Sequence, residues 1–161
     1  MSKKVKKTNQ NEETELELAV RITNSRFRSQ GISLYKEFDT KMREAQEEDG
    51  EIRKLHLWEQ AGPNAINVMF QILKEVRLGF AKGIGQSQEH QIHSVELIRL
   101  WKVGTEDEGV HSLCQYLLEN PDIEVLDLLD NKISYLGCNY MGKVFRGMSA
   151  KLNVTKVTFS N

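Results

Sequence analysis

Two stretches of the chain repeat each other 28 residues apart. Val95-x-x-Ile98-x-Leu100, then Gly109-Val110-x-x-Leu113-x-x-x-Leu117, recurs as Ile123-x-x-Leu126-x-Leu128, then Gly137-Cys138-x-x-Met141-x-x-x-Phe145. The first half of each copy alternates apolar and other residues every two positions, as a short strand does. The second half spaces its apolar residues by three and four, as one face of a helix does. Neither half can bury its apolar side alone. Stacking copies in register buries both, so the expected unit is a strand and a helix packed against its neighbours, and a period of this length implies a solenoid.

The same frame extends in both directions. Ile52-x-x-Leu55-x-Leu57 reads as an earlier strand, and Ile66-x-x-Met69-x-x-x-Leu73 as its helix. Between that helix and the next strand, residues 77–93 contain Gly79, Gly83, Gly85 and a polar run, which predicts an inserted surface loop. Val20-x-Ile22 followed by Gly31 and Tyr35 reads as a degenerate first strand leading into a charged helix from Leu34 to about Glu48. Leu34, Phe38 and Met42 on that helix are placed to cap the first coil. Val154-x-x-Val157-x-Phe159 restores the strand frame near Asn161, with no helix after it. The expected organisation is a polar, basic tail over 1–13, an N-terminal cap or degenerate repeat over 14–50, and repeats over 51–161 with an incomplete last one.

The run Leu126-Asp127-Leu128-Leu129-Asp130-Asn131-Lys132-Ile133 resembles the leucine-rich repeat, and with Gly137 and a helix after it the unit resembles the ribonuclease-inhibitor-like subclass. The resemblance covers residues 52–161. It implies an α/β solenoid, a right-handed coil with parallel strands on the concave side and helices on the convex side. In that family the Asn at the position of Asn131 hydrogen-bonds into the turn after the strand and stacks in a ladder between coils. The earlier copy has Val103 there, which should weaken the ladder without breaking the apolar frame.

Local signals fit this frame. Thr105-Glu106-Asp107-Glu108 reads as a capping box at a helix start, and Asn120-Pro121 as that helix's end. Pro63 suits the first turn of the preceding helix.

Composition narrows the function classes. With 22 basic and 23 acidic side chains the chain has no global field for nucleic acid or an anionic membrane. No apolar run reaches membrane-spanning length, so membrane insertion is not expected. The basic start, Lys3, Lys4, Lys6 and Lys7, is followed by polar residues instead of the apolar core of an export signal, and the expectation is a cytoplasmic protein. Cys138 falls at an inward helix position and Cys114 one place after the inward Leu113, and no disulfide is expected.

Stacked strands would align their outward residues into rows about 5 Å apart. One row holds His56, Arg99, Asp127 and Thr158; the next holds Trp58, Trp101, Leu129 and Ser160. Both tryptophans of the chain fall on one repeat position. Either they form an exposed apolar ridge with Leu129, as binding hot spots do, or they turn under the following loop and fill a gap between coils. Lys54, Arg99 and Lys102 flank the rows against Glu96, Glu124, Asp127 and Asp130 and would tune partner choice. The partner-binding set is therefore Trp58, Trp101, Leu129, His56, Arg99, Asp127 and Lys102.

Other features carry less. His90, His93 and Glu89 lack the further ligands that a zinc site needs, so no metal is expected. Gly83-Ile84-Gly85 lacks the strand and the Lys or third Gly of a phosphate loop, and no cofactor is expected. No nucleophile, base and acid are set together by a motif, so no enzyme is expected. Two roles follow. One is a protein-interaction module or scaffold subunit, by resemblance of repeat type in a ciliary or cytoskeletal assembly. The other is a regulator of a small GTPase, as some proteins of this repeat subclass are. The apolar last strand, with its unpaired edge, is expected to be covered by another chain or by further sequence.

Overall fold

The computed structural model describes residues 15–48, 52–83, 95–120, 122–148 and 156–158. In chain order these form α1 (Glu15–Ser29), α2 (Lys36–Glu48), β1 (Lys54–Leu57), α3 (Pro63–Gly83), β2 (Leu97–Leu100), α4 (Glu106–Glu119), β3 (Val125–Asp127), α5 (Tyr135–Met148) and β4 (Lys156–Thr158). The class is mixed α/β, with one parallel sheet in the order β1-β2-β3-β4.

Parallel neighbours need a crossover, and α3, α4 and α5 supply them. The register aligns Leu55 with Ile98, Ile98 with Leu126, and Leu126 with Val157. The sequence offsets of 43 and 28 are thus spatial neighbours. Leu55, Leu57, Ile98, Leu100 and Leu126 are buried on the helix side of the sheet, against Ile66, Met69, Leu113, Leu117 and Met141 of the crossovers. Adjacent helices pack in the same order as the strands, α3 on α4 and α4 on α5.

At the β1 edge, α1 lies against α3 and α2 against β1, so this helix pair stands where a preceding strand and helix would. The expected strand at Val20 and Ile22 does not exist. Those residues belong to α1, whose buried Ala19, Ile22, Thr23 and Phe27 follow helical spacing; three residues were too few to separate a period of two from one of 3.6. In α2, Phe38 and Met42 are fully buried and Leu34, just before it, is partly so.

The expected loop at 77–93 also needs correction. Helix α3 continues through 77–83, and residues 84–94, with Glu89, His90 and His93, lie outside the described residues. A glycine inside a helix costs only about 1 kcal/mol relative to alanine. The four-residue spacing of Ile72, Val76 and Phe80 continues the helical pattern past Gly79.

The turns after β2 and β3 repeat each other. Lys102 and Asp130 share a left-handed backbone (φ 57° and 56°), as do Gly104 and Lys132 two residues on (φ 76° and 53°). Asn131 joins the two turns. Its side-chain oxygen accepts from Gly104 N, Thr105 N and Thr105 Oγ1, each at 3.1 Å, and its Nδ2 donates to Leu100 O at 2.5 Å and Leu129 O at 3.1 Å. The side chain is fully buried and serves the turn that holds Val103 as well as its own.

This changes the role of Thr105. The expected capping box does not form, because Thr105 has helical backbone angles and makes no side-chain cap bond; its hydroxyl is committed to Asn131. Asp107 instead caps the next helix. Its carboxylate accepts from Ser134 N at 2.9 Å, Ser134 Oγ at 2.5 Å and Gly137 N at 3.1 Å. The Ser134 hydroxyl bond, then the backbone bonds, pull the Asp107 carboxyl below the usual range against an opposing effect of burial. A side chain at Gly137 would put a Cβ 2.5 Å from that carboxylate and 2.6 Å from Ile133 Cγ2, so glycine is required there.

Both cysteines are free thiols. Cys114 is the more deeply buried, with its thiol pushed up to about 12 by burial, while Cys138 is only partly covered. The inward and flanking positions expected for this pair are therefore reversed.

Replacing Asn131 with Ala should destabilise the fold by about 2–4 kcal/mol, since it removes both partners' bonds and strands two buried amides. Urea unfolding of Asn131→Ala against Val103→Ala, which removes only apolar contacts, tests this; a loss under about 1 kcal/mol for the Asn131 variant would contradict it.

Candidate functional site

Strand geometry sends alternate side chains to opposite faces, and the face away from α3, α4 and α5 carries the outward rows. The register places His56 beside Arg99, Arg99 beside Asp127, and Asp127 beside Thr158. Arg99 is the hinge of this row. Its Nε lies 3.3 Å from Asp127 Oδ2, and its guanidinium carbon sits 5.0 Å from the centre of the Trp101 ring. A guanidinium over an indole contributes about 0.5–1 kcal/mol at exposed sites and more where water is excluded. Asp127, at 7% exposure, is the most buried member.

The apolar row is uneven. Trp58 is 55% exposed, whereas Trp101 and Leu129 are half-buried. The expected continuous exposed ridge therefore narrows to one projecting indole with two partly covered neighbours. Trp101 is held down because its backbone N still pairs with Leu57 O at 2.9 Å, extending the sheet ladder, and because Arg99 covers its ring. Lys102 stands in the turn above, 71% exposed at its side chain and 3.6 Å from Asp130. At such exposure that pair contributes about 0–1 kcal/mol.

Three buried polar atoms of this patch have no hydrogen-bond partner among the described residues: His56 Nε2, Trp101 Nε1 and Asp127 Oδ1. His56 has its proton affinity lowered, chiefly by burial and then by Arg99, Lys54 of its own strand and Lys41 of α2, with Asp127 acting in the opposite sense. The imidazole is accordingly neutral at physiological pH.

One residue that positions this site lies on the charged helix expected from Leu34 to about Glu48 and was not singled out there. Glu37 of α2 is buried, and its carboxylate accepts from Trp58 N at 3.0 Å, Glu59 N at 2.8 Å and the Tyr35 hydroxyl at 2.9 Å. Burial first, then the Glu37 bond, push the Tyr35 phenol up. The pointer in the sequence was the requirement that the amides after β1 find acceptors, with no earlier strand among the described residues to provide them.

No protein-family model matches this chain, and no curated protein matches it in sequence. Among the described residues, no cluster of three or more His, Cys, Asp or Glu side chains is placed to hold a metal ion, and no helix is long and apolar enough to cross a membrane.

The lowered His56 affinity has a pH consequence. Its contribution to stability is fully present above the unfolded value of 6.5 and is lost as pH falls through the lower folded value. Thermal unfolding between pH 7.5 and 5 should show His56→Gln losing less stability on acidification than wild type; parallel curves would contradict this.

Proposed function

We propose that the chain is a non-enzymatic protein-interaction module of the leucine-rich-repeat type, a right-handed solenoid that holds a partner protein on its helix-free, concave face. The observation that carries this reading is Trp58. An indole 55% exposed is mounted on a backbone fixed by the buried Glu37 carboxylate. Large aromatics on rigid supports bind with little loss of conformational entropy, and Trp is the side chain most enriched in binding hot spots. Half-buried Trp101 and Leu129 follow it at the same end of the next two strands, and half-buried Leu97 and Val125 lie at the other end of the sheet beyond Arg99.

The four-strand parallel sheet, the unit-by-unit packing and the Asn131 bonds between turns support the repeat assignment. A scaffold role in the cytoplasm, in a ciliary or cytoskeletal assembly, fits this face. Val157 on β4 is 36% exposed at the far side of the sheet, which suits a second contact there with another chain. Regulation of a small GTPase is less well supported. Arg99 sits on a strand, engaged by Asp127 and Trp101, instead of projecting from a loop.

Affinity capture from native extract with wild type, Trp58→Ala and a helix-face control, Leu118→Ala, tests the reading. Proteins retained by wild type and the control should fall at least about tenfold with Trp58→Ala. Equal recovery by all three forms, each folded, would contradict it.

A further inference from the structure

Helix α3 packs between α1 and α4, and α4 between α3 and α5, whereas α5 packs, among the described elements, on α4. The sequence repeat measures what its other side lacks. Val110, Cys114 and Leu117 of α4 are buried, but their counterparts 28 residues on, Cys138, Gly142 and Phe145, are only partly covered. Cover thins along the sheet in the same direction. Leu55, Ile98 and Leu126 are buried, and Val157, the next in that row, is 36% exposed. Tyr135, 81% exposed, stands with exposed Leu136 at the start of α5. A helix face that is covered on α4 and open on α5 has the form of a docking surface.

Charge selects what covers it. Residues 131–161 contain Lys132, Lys143, Arg146, Lys151 and Lys156 and no Asp or Glu, so all 23 acidic side chains of the sequence precede them. On α5 the exposed Lys143 and Arg146 follow Tyr135 and Asn139 at spacings of four, four and three, one side of a helix. That row runs beside Cys138, Gly142 and Phe145. Arg146 borders the open face directly, since a Cβ at Gly142 would meet its Nη1 at 3.4 Å. Earlier in the chain Arg53, Lys74, Arg99 and Lys102 each lie against a carboxylate, but α5 has none to offer Lys143 and Arg146. A basic segment would be repelled here. An extended phosphate polymer or an anionic membrane would leave the apolar row unused. It would also meet Glu106, Asp107 and Glu108 of α4, one helix spacing or about 8–10 Å away and within reach of unscreened charge.

Resting on the reading above that another chain contacts this side of the sheet, we infer that the open face of α5 docks an acidic amphipathic helix of a partner protein. Its apolar stripe covers Cys138, Gly142 and Phe145, as α5 covers the matching residues of α4. Its carboxylates reach Lys143 and Arg146, and Tyr135 packs against its end. Gly142 leaves the room for close approach of the two helices once the Arg146 side chain swings toward the incoming carboxylates.

A phage library of amphipathic helices about 18 residues long, panned on the full chain, tests this. One face of each helix varies among Ala, Leu and Met, the other among Glu, Gln and Lys. Selected helices should be rich in Glu over Lys and bind more weakly as ionic strength rises. Lys143→Glu with Arg146→Glu should weaken them at least about tenfold and leave the melting temperature unchanged, because both side chains are exposed. Gly142→Leu meets only the flexible end of Arg146, so it should fill the face, weaken binding to a similar degree and leave the melting temperature unchanged or higher. Trp58→Ala should leave this binding intact. No enrichment, a preference for Lys, or indifference to both α5 variants would overturn the inference. Tighter binding of an oligothymidylate or of phosphatidylserine vesicles through Lys143 and Arg146 would overturn it in favour of a general polyanion site. Helices lost with Trp58→Ala but not with the α5 variants would overturn it and leave the concave-face reading standing.

Discussion

The Asn131 carboxamide holds the repeating part of this molecule in register. One buried side chain meets Leu100 O, Gly104 N, Thr105 N and the Thr105 hydroxyl in the turn after β2, and Leu129 O in its own turn. Apolar burial drives strand against helix but is non-directional and does not say which turn lies over which. Hydrogen bonds at fixed angles do. They explain why the two turns share left-handed residues at Lys102 and Asp130, and why Thr105 gives up the cap at α4 to a partner 26 residues away. The strain of such non-glycine positions, about 1–3 kcal/mol each, persists only where surrounding contacts determine the conformation.

At the sheet's first edge the described residues hold no strand before β1 to supply a side chain of that kind, and Glu37 of α2 takes the task. Its carboxylate gathers the amides of Trp58 and Glu59, so the turn after β1 is fixed from outside the repeat. Hydrogen bonds to a charged acceptor contribute about 1.5–3 kcal/mol each. The two anchors, Asn131 within the repeats and Glu37 at their edge, set the strand ends from which Trp58 and Trp101 extend. The backbone of the outward face is therefore tied down at both of these turns.

Much of this was legible from residue spacing. The apolar frames at Leu55, Ile98, Leu126 and Val157 are the aligned rungs of the sheet, because burying two faces at once leaves a strong periodic mark. The rows His56–Arg99–Asp127 and Trp58–Trp101–Leu129 followed from the same alternation. What spacing could not show was polar partnership. Thr105 satisfied the local pattern of a cap yet bonds to a distant residue, and Glu37 looked solvated because its acceptor role depends on a turn 21 residues away. Short motifs failed for another reason. Val20 and Ile22 fit a strand or a helix equally, and only Ala19 and Phe27 beside them decide for the helix.

Hydrogen exchange followed residue by residue tests the anchoring role of Asn131 most directly. The amides of Gly104 and Thr105 lie in a buried turn outside the strand ladder, and the Asn131 oxygen is the acceptor that both share. They should exchange with the slow, global-unfolding class of the β2 and α4 core. Exchange at the rate of an unstructured peptide, in a protein whose core amides remain protected, would contradict the account.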